Sequence, residues 1–317
     1  MLKKLLLLPL LFAVSLLFTS CSDGGKEKVV IGVSIPSADH GWTGGIVYWA
    51  EKTKKELEAK DPSLKILLST ASDSASQVSQ IENMMVQKIK ALVILPHEPA
   101  PLANICREVQ KKGAYLVVVD RNLAGNFQDL AIAGDNSGFG KACGEVMAKE
   151  LKGKGNILIM EGALCDVNTL RVKAFREVMK KYPNIRILDS QITNWNTEQG
   201  LTLMENYLRK YKKIDGVWAG DDDVLMGALK AYEESKRKDV KLFVGGGGSK
   251  VIIKKIMDKD PLIPVNVTYP PEMIAHGIKK AVEAAKGKAD PRKKILIKAE
   301  IITRENAAKF YNPDSIY

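Results

Sequence analysis

Histidine is scarce in this chain: there are three, His40, His97 and His276, and their separation rules out a spaced metal set. The four cysteines, Cys21, Cys106, Cys143 and Cys165, include no C-x-x-C pair, which removes the usual redox and zinc readings. No G-x-x-x-x-G-K-[ST] loop is present. The glycines of Gly245-Gly246-Gly247-Gly248 come near it, but Lys250 is preceded by Ser249 and followed by Val251, so a tight turn explains them better. No Ser/His/acid order supports nucleophilic catalysis, and no cofactor is called for. A formal charge of +11 would suit nucleic acid, yet the lysines are scattered in pairs such as Lys54-Lys55, Lys111-Lys112 and Lys279-Lys280. That pattern is a solvated helix face, and with no helix-turn-helix or zinc-finger signature it excludes nucleic acid as a partner.

The longest apolar run, Leu5 to Leu17, is too short for a membrane span but has the length of a secretory core, preceded by Lys3-Lys4. It ends at Phe18-Thr19-Ser20-Cys21, which resembles the bacterial lipoprotein signal, where cleavage precedes the cysteine and its sulfur is lipidated. Phe18 departs from that pattern, since a smaller aliphatic residue is usual there. The expectation is a signal peptide over 1–20, lipidation at Cys21 and a tether over 21–28, placing the protein outside the cell membrane on a lipid anchor. Loss of Lys3 and Lys4 lowers the net charge from +11 to +9. Three cysteines then remain, an odd number. Buried free thiols are the reading, with a Cys143–Cys165 bond left open.

From Val29 onward short apolar runs alternate with amphipathic stretches. Val29–Ile35 reads as a buried strand, closed at once by Pro36, and His40 and Trp42 stand on the loop and helix start that follow. Further strands are expected at 64–68, 91–95, 115–119 and 130–133, and a second series at 157–160, 185–188, 216–218, 242–244 and 263–267. Alternation of this kind argues for parallel sheets covered by helices, in two lobes. A helix over 271–286, a strand over 295–298 and a short helix over 304–309 exceed what the second lobe needs. The chain is therefore expected to cross back to the first. Ligands of open α/β sheets bind beyond the carboxyl ends of the strands, and an indole there can stack on the C–H face of a sugar.

Five segments carry a resemblance over essentially the whole mature chain: Val119-Asp120-Arg121, Gly134-Asp135-Asn136, Arg171 to Phe175, Asp221-Asp222 with Gly227-Ala228-Leu229, and Tyr269-Pro270. In order and spacing they resemble the periplasmic sugar-binding proteins of the ribose, galactose and xylose type, the receptors of ABC importers. The resemblance implies an α/β fold of the type I periplasmic binding protein: two Rossmann-like lobes with parallel sheets joined by three hinge crossovers. The crossings fall near Gly134–Asp135, Thr268–Pro270 and Ile297–Ala299. The lobes are then 29–134 plus 270–298 and 135–269 plus 299–317. No enzyme activity is implied, and the protein is expected to act as a monomer that hands a sugar or polyol to a permease with its ATPase. A receptor feeding a sensor kinase or chemoreceptor is the alternative.

The same resemblance implies the site. Trp42 and Trp195 match the aromatics that sandwich the ring, whereas Trp49 and Trp218, inside a helix and a strand, read as packing. Asp120 and Arg121 follow a strand and supply an acceptor and a donor for hydroxyls. Asp221 matches a ligand position, with Asp222 read as the cap of the next helix. Asn168 is the preferred contact of its helix, because the family's arginine lies where Thr169 stands; Arg171 reads as structural. His40, Thr43, His97 and Tyr269 complete the expected set. Gly247 stands where ribose- and galactose-binding members have an aspartate, and Tyr269 where they have an amide. The ligand is therefore expected to differ from ribose, glucose or galactose.

Overall fold

A computed structural model describes residues 28–317; the expected signal peptide, Cys21 and most of the expected tether lie outside them. The first half runs β1 (Val29–Pro36), α1 (Gly41–Lys60), β2 (Leu64–Ala71), α2 (Ser74–Val86), β3 (Ala91–Ile94), α3 (Ala103–Lys111), β4 (Tyr115–Val119) and β5 (Leu130–Gly134). These strands, joined by a later one, form a six-stranded sheet in which every paired neighbour is parallel. The strands are apolar on both faces because both are covered. Ala91 and Val93 point into one cluster with Ile46 and Ala50 of α1, while Leu92 and Ile94 point into another with Ile81 of α2 and Val109 of α3. At about 1.5–3 kcal/mol for each fully buried aliphatic side chain, this two-sided burial is what selects a parallel sheet.

The chain then leaves this sheet. It continues as α4 (Asn136–Glu150), β6 (Lys154–Glu161), α5 (Asp166–Met179), β7 (Asn184–Ile192), α6 (Thr197–Lys210), β8 (Gly216–Ala219), α7 (Asp222–Ser235), β9 (Leu242–Val244) and α8 (Lys250–Met257). The four strands make a parallel sheet in the order β7-β6-β8-β9. Trp218 lies stacked on Phe175 at 4.0 Å with the rings 5° apart, so it is a packing residue. Trp49 is half-buried in α1 under the Lys52 ammonium.

Two returns follow. After β10 (Val265–Val267), α9 (Met273–Ala285) packs on the first sheet through Ile274, Ile278 and Ala281, spaced to fall on one helix face. Gly277 lets it approach, since a Cβ there would come within 2.7 Å of Val119 Cγ2. β11 (Lys294–Ile297) joins the edge of that sheet beside β5, and β12 (Ile301–Thr303) goes back to pair antiparallel with β10. The crossing segments are tied to each other: Asp135 N donates to Ile297 O at 2.8 Å and Thr268 N to Glu300 O at 2.9 Å.

Several local expectations need correction. The strand expected at 263–267 as part of a parallel sheet begins only at Val265, because Pro264 has no N–H to give, and it pairs antiparallel with β12 instead. β12 was not legible in three residues. The helix expected over 304–309 is a single 3-10 turn, Ala307–Lys309. Among the described residues Cys143 and Cys165 are not bonded to each other, nor is either bonded to Cys106, and Cys143 Sγ turns to Gly245 O at 3.8 Å.

Candidate functional site

The carboxyl ends of strands from both sheets meet at one small cavity. His40 and Trp42 come from the β1–α1 junction, Asp120 and Arg121 from the end of β4, Trp195 from the loop after β7, Asp221 from the end of β8, Gly246 and Gly247 from the loop after β9, and Tyr269 from the segment after β10. Val167 and Arg171 of α5 and Tyr317 complete the wall.

Two of these residues are aimed by unusual backbone. Asp120 has φ +65° and Trp195 φ +56°, the latter preceded by Asn194 at +51°. A left-handed conformation costs a bulky L-residue about 1–2 kcal/mol, so both are held there by their surroundings. For Asp120 the holder is Tyr269, whose hydroxyl donates to Oδ1 at 2.5 Å, with Arg121 Nε at 3.6 Å from Oδ2. For Trp195 it is Gly162, where a Cβ would sit 2.0 Å from the indole Nε1. The Trp195 ring faces His40 at 6.5 Å with the planes 24° apart, and the Arg121 guanidinium lies 6.0 Å from it. Trp42 is tilted against Tyr269 at 5.7 Å, and its Nε1 donates to Tyr269 O at 2.9 Å.

The two sheets' loops are closed on one another. Asp223 of α7 accepts from Gly41 N at 3.0 Å and Trp42 N at 3.2 Å, and Asn122 Nδ2 donates to Asp166 Oδ2 at 2.8 Å. This gathers acid groups. Burial, with the charge of Asp223 beside it, pushes Asp221 up to about 7, and burial takes Asp222 up to about 6. Burial opposes the charge on His40, but the Asp39 hydrogen bond and the charges of Asp221, Asp39 and Asp223 outweigh it and raise its pKa. A His40 ring nitrogen and carboxylate oxygens of Asp221 and Asp223 lie within 4.8 Å of one another. Both oxygens of Asp223 are occupied by amides of α1 and one of Asp221 by Val224 N, which leaves this group poorly disposed to hold an ion.

Of the expected contacts, His40, Trp42, Asp120, Arg121, Trp195, Asp221 and Tyr269 line the cavity and three do not. Thr43 is turned into the helix start, where its Oγ1 accepts from His40 N at 3.2 Å and donates to Asp39 Oδ1 at 2.7 Å. His97 sits behind Arg121, whose Nη1 donates to the His97 carbonyl at 2.9 Å. Asn168 is spent on the loop below Trp195, accepting from Gly162 N at 2.8 Å and donating to Glu161.

Other roles are exchanged. The cap of α7 is Asp221, which accepts from Val224 N at 2.9 Å, while the Asp222 carboxylate accepts from Ser249 N and Asn266 Nδ2. Arg171, expected to be structural, is buried in the cavity wall. It donates to Asn136 Oδ1 and Gly220 O and stacks on Phe139 and Tyr269 at 4.1 and 4.2 Å. Its place one turn after Val167 on α5 was the available signal. Tyr317 had none, lying beyond the last regular element.

A cavity between two α/β lobes, lined from both, is the architecture of a protein that takes up a solute. The chain belongs to the periplasmic binding protein domain family, which it matches over residues 31–289. That family consists of solute-binding proteins and not enzymes. The chain is 30% identical to the xylitol-binding protein of Mycolicibacterium smegmatis over 72% of its own length and 66% of that protein's. It is 27% identical to the ribose import binding protein RbsB of Bacillus subtilis, with 83% of each chain covered. A solved ABC transporter solute-binding protein of Bacillus halodurans, with bound myo-inositol, superposes with a TM-score of 0.81 at 25% identity, covering 93% of this chain and all of that one.

Proposed function

We propose that this protein is the substrate-binding lipoprotein of an ABC importer, capturing a monosaccharide or polyol between lobes 29–134 plus 270–298 and 135–269 plus 299–317 and delivering it to the permease. The observation that carries the reading is the cavity wall: two indoles, the carboxyls of Asp120 and Asp221 and the guanidiniums of Arg121 and Arg171 meet around one space, contributed from both sheets. Indoles cover C–H faces, and carboxylates and guanidiniums satisfy hydroxyls in the plane of the ring. Each lobe supplies one of the indoles, one of the carboxyls and one of the guanidiniums, so a ligand meets both sets only when the lobes are together; it favours the closed form by that differential affinity, and the tied crossings absorb the movement. Relatives that bind xylitol and ribose, and a fold neighbour holding myo-inositol, support this class of ligand. The missing aspartate at Gly247 and the tyrosine at 269 support a ligand other than ribose.

Cys21 is the proposed anchor, and the protein is proposed to act as an exported, membrane-tethered monomer with no cofactor. The test is a thermal-shift screen of the purified protein against polyols and monosaccharides, followed by small-angle scattering with the best binder. A raised melting temperature and a smaller radius of gyration are expected, with the compound recovered unchanged. A chemically altered compound, or tight binding without compaction, refutes the proposal. A second reading, a receptor for a sensor kinase, is favoured by one fold neighbour: the fructose-binding periplasmic domain of a hybrid two-component system, with a TM-score of 0.78.

A further inference from the structure

We propose that the phenol of Tyr317 is a direct ligand contact, carried into the cavity by the segment after the 3-10 turn and filling the volume that a side chain at position 247 would occupy. The inference rests on the reading of the cavity as a site for a neutral polyhydroxy compound.

Tyr317 is 7% exposed and stands in the same cavity wall as Trp42, Asp120 and Arg171. Its hydroxyl is buried and has no hydrogen-bond partner among the described residues. Buried tyrosine hydroxyls normally find one, because an unpaired polar group forfeits its hydration and gains nothing in return. The residue lines this cavity, and a ligand oxygen held there is the partner assigned to the hydroxyl. The phenol remains protonated, since burial and then the charge of Asp222 hold its pKa well above the ordinary value, so it has a proton to donate.

The opposite wall shows why the ring can be there. Gly247 has φ +139°, and a Cβ on it would fall 2.0 Å from the Tyr317 hydroxyl oxygen. A side chain at 247 and the phenol at 317 are mutually exclusive. The phenol thus takes the volume that any side chain at 247 would need, and its hydroxyl can both donate and accept.

The tail is seated against both halves. On the first, the Tyr317 ring lies on the start of α1, where a Cβ at Gly41 would be 3.2 Å from Cδ2 and one at Gly45 would be 3.1 Å from the tyrosine Cβ. On the second, Lys250 Nζ of α8 donates to Pro313 O at 3.2 Å. Within the tail, Ser315 Oγ donates to Tyr317 O at 2.6 Å and accepts from Tyr317 N at 3.2 Å, which fixes the backbone that aims the ring.

The experiment uses Tyr317→Phe in the full chain, with xylitol, myo-inositol and D-ribose as probes, measured by calorimetry and by melting temperature with and without probe. Phenylalanine keeps the packing and removes only the orphan hydroxyl. Without a probe the melting temperature should stay level or rise, because no protein group loses a partner. For a probe that binds the parent, Kd should rise about tenfold, about 1.4 kcal/mol. An unchanged Kd overturns the contact while leaving the solute-binding reading in place. A lowered melting temperature without probe, with Kd unchanged, overturns it too, by showing that the hydroxyl is bonded within the protein. If no polyol or sugar binds the parent, the reading falls and this contact with it.

Discussion

Replacing Trp195 by alanine tests how much of the binding energy rests on an aromatic platform. The indole is 8% exposed, faces His40 at 6.5 Å, lies against Gly162, and stands on a loop in which Asn194 and Trp195 itself are both left-handed. A tryptophan buries about 150–250 Å², and a ligand ring covering one face takes roughly a third of that, about 70 Å². At about 25 cal/mol per Å² the lost contact is worth about 1.8 kcal/mol, a rise in Kd of about twentyfold. Trp195→Gly should lose the same affinity. It should also melt higher than Trp195→Ala, since glycine relieves about 1 kcal/mol of left-handed strain that alanine retains. Isothermal titration with the best probe from the screen reads the first effect and calorimetric melting the second. If both variants bind within twofold of the parent, the platform is not part of the site and the stacking argument is wrong.

Two further outcomes follow from the geometry. Burial raises the Asp221 pKa to about 7, and the carboxylates around His40 raise its pKa despite burial, so the closed fold holds protons that the unfolded chain releases at lower pH. The folded state then binds more protons between the ordinary carboxyl pKa of 3.8 and about 7, so stability should fall as pH rises across that window, and Asp221→Asn should flatten the slope; a melting temperature that climbs over the window contradicts the assignment. At the first crossing, Gly134→Ala would place its Cβ 2.1 Å from Tyr269 Cε2. Overpacking of that kind should cost about 2 kcal/mol in denaturant unfolding and loosen the tyrosine that holds Asp120, so binding should weaken as well; a variant as stable as the parent would mean that the ring yields freely.

The alternation of short apolar runs with amphipathic stretches was enough to determine parallel sheets, because a strand covered on both faces must be apolar throughout, as Ala91–Ile94 shows. Asp120 and Arg121 were legible because they follow a strand, and a parallel sheet delivers its carboxyl ends to one edge, where ligands are met, whereas Asp221 and Trp195 were legible only through the family resemblance. What the sequence could not decide was direction. Asn168 and Arg171 are three residues apart on one helix, and only packing turns Asn168 down onto Gly162 and Arg171 into the cavity. Asp221 and Asp222 exchange cap and partner because a single residue of phase at a helix start reverses what each carboxyl can reach. The three-residue β12 has meaning only beside β10, and Tyr317 acquires its place only because Gly41, Gly45 and Gly247, far apart in the chain, leave one shared hollow for its ring. Local periodicity records which side of an element is apolar; where that side points, and what fills the space between distant glycines, is settled by long-range packing alone.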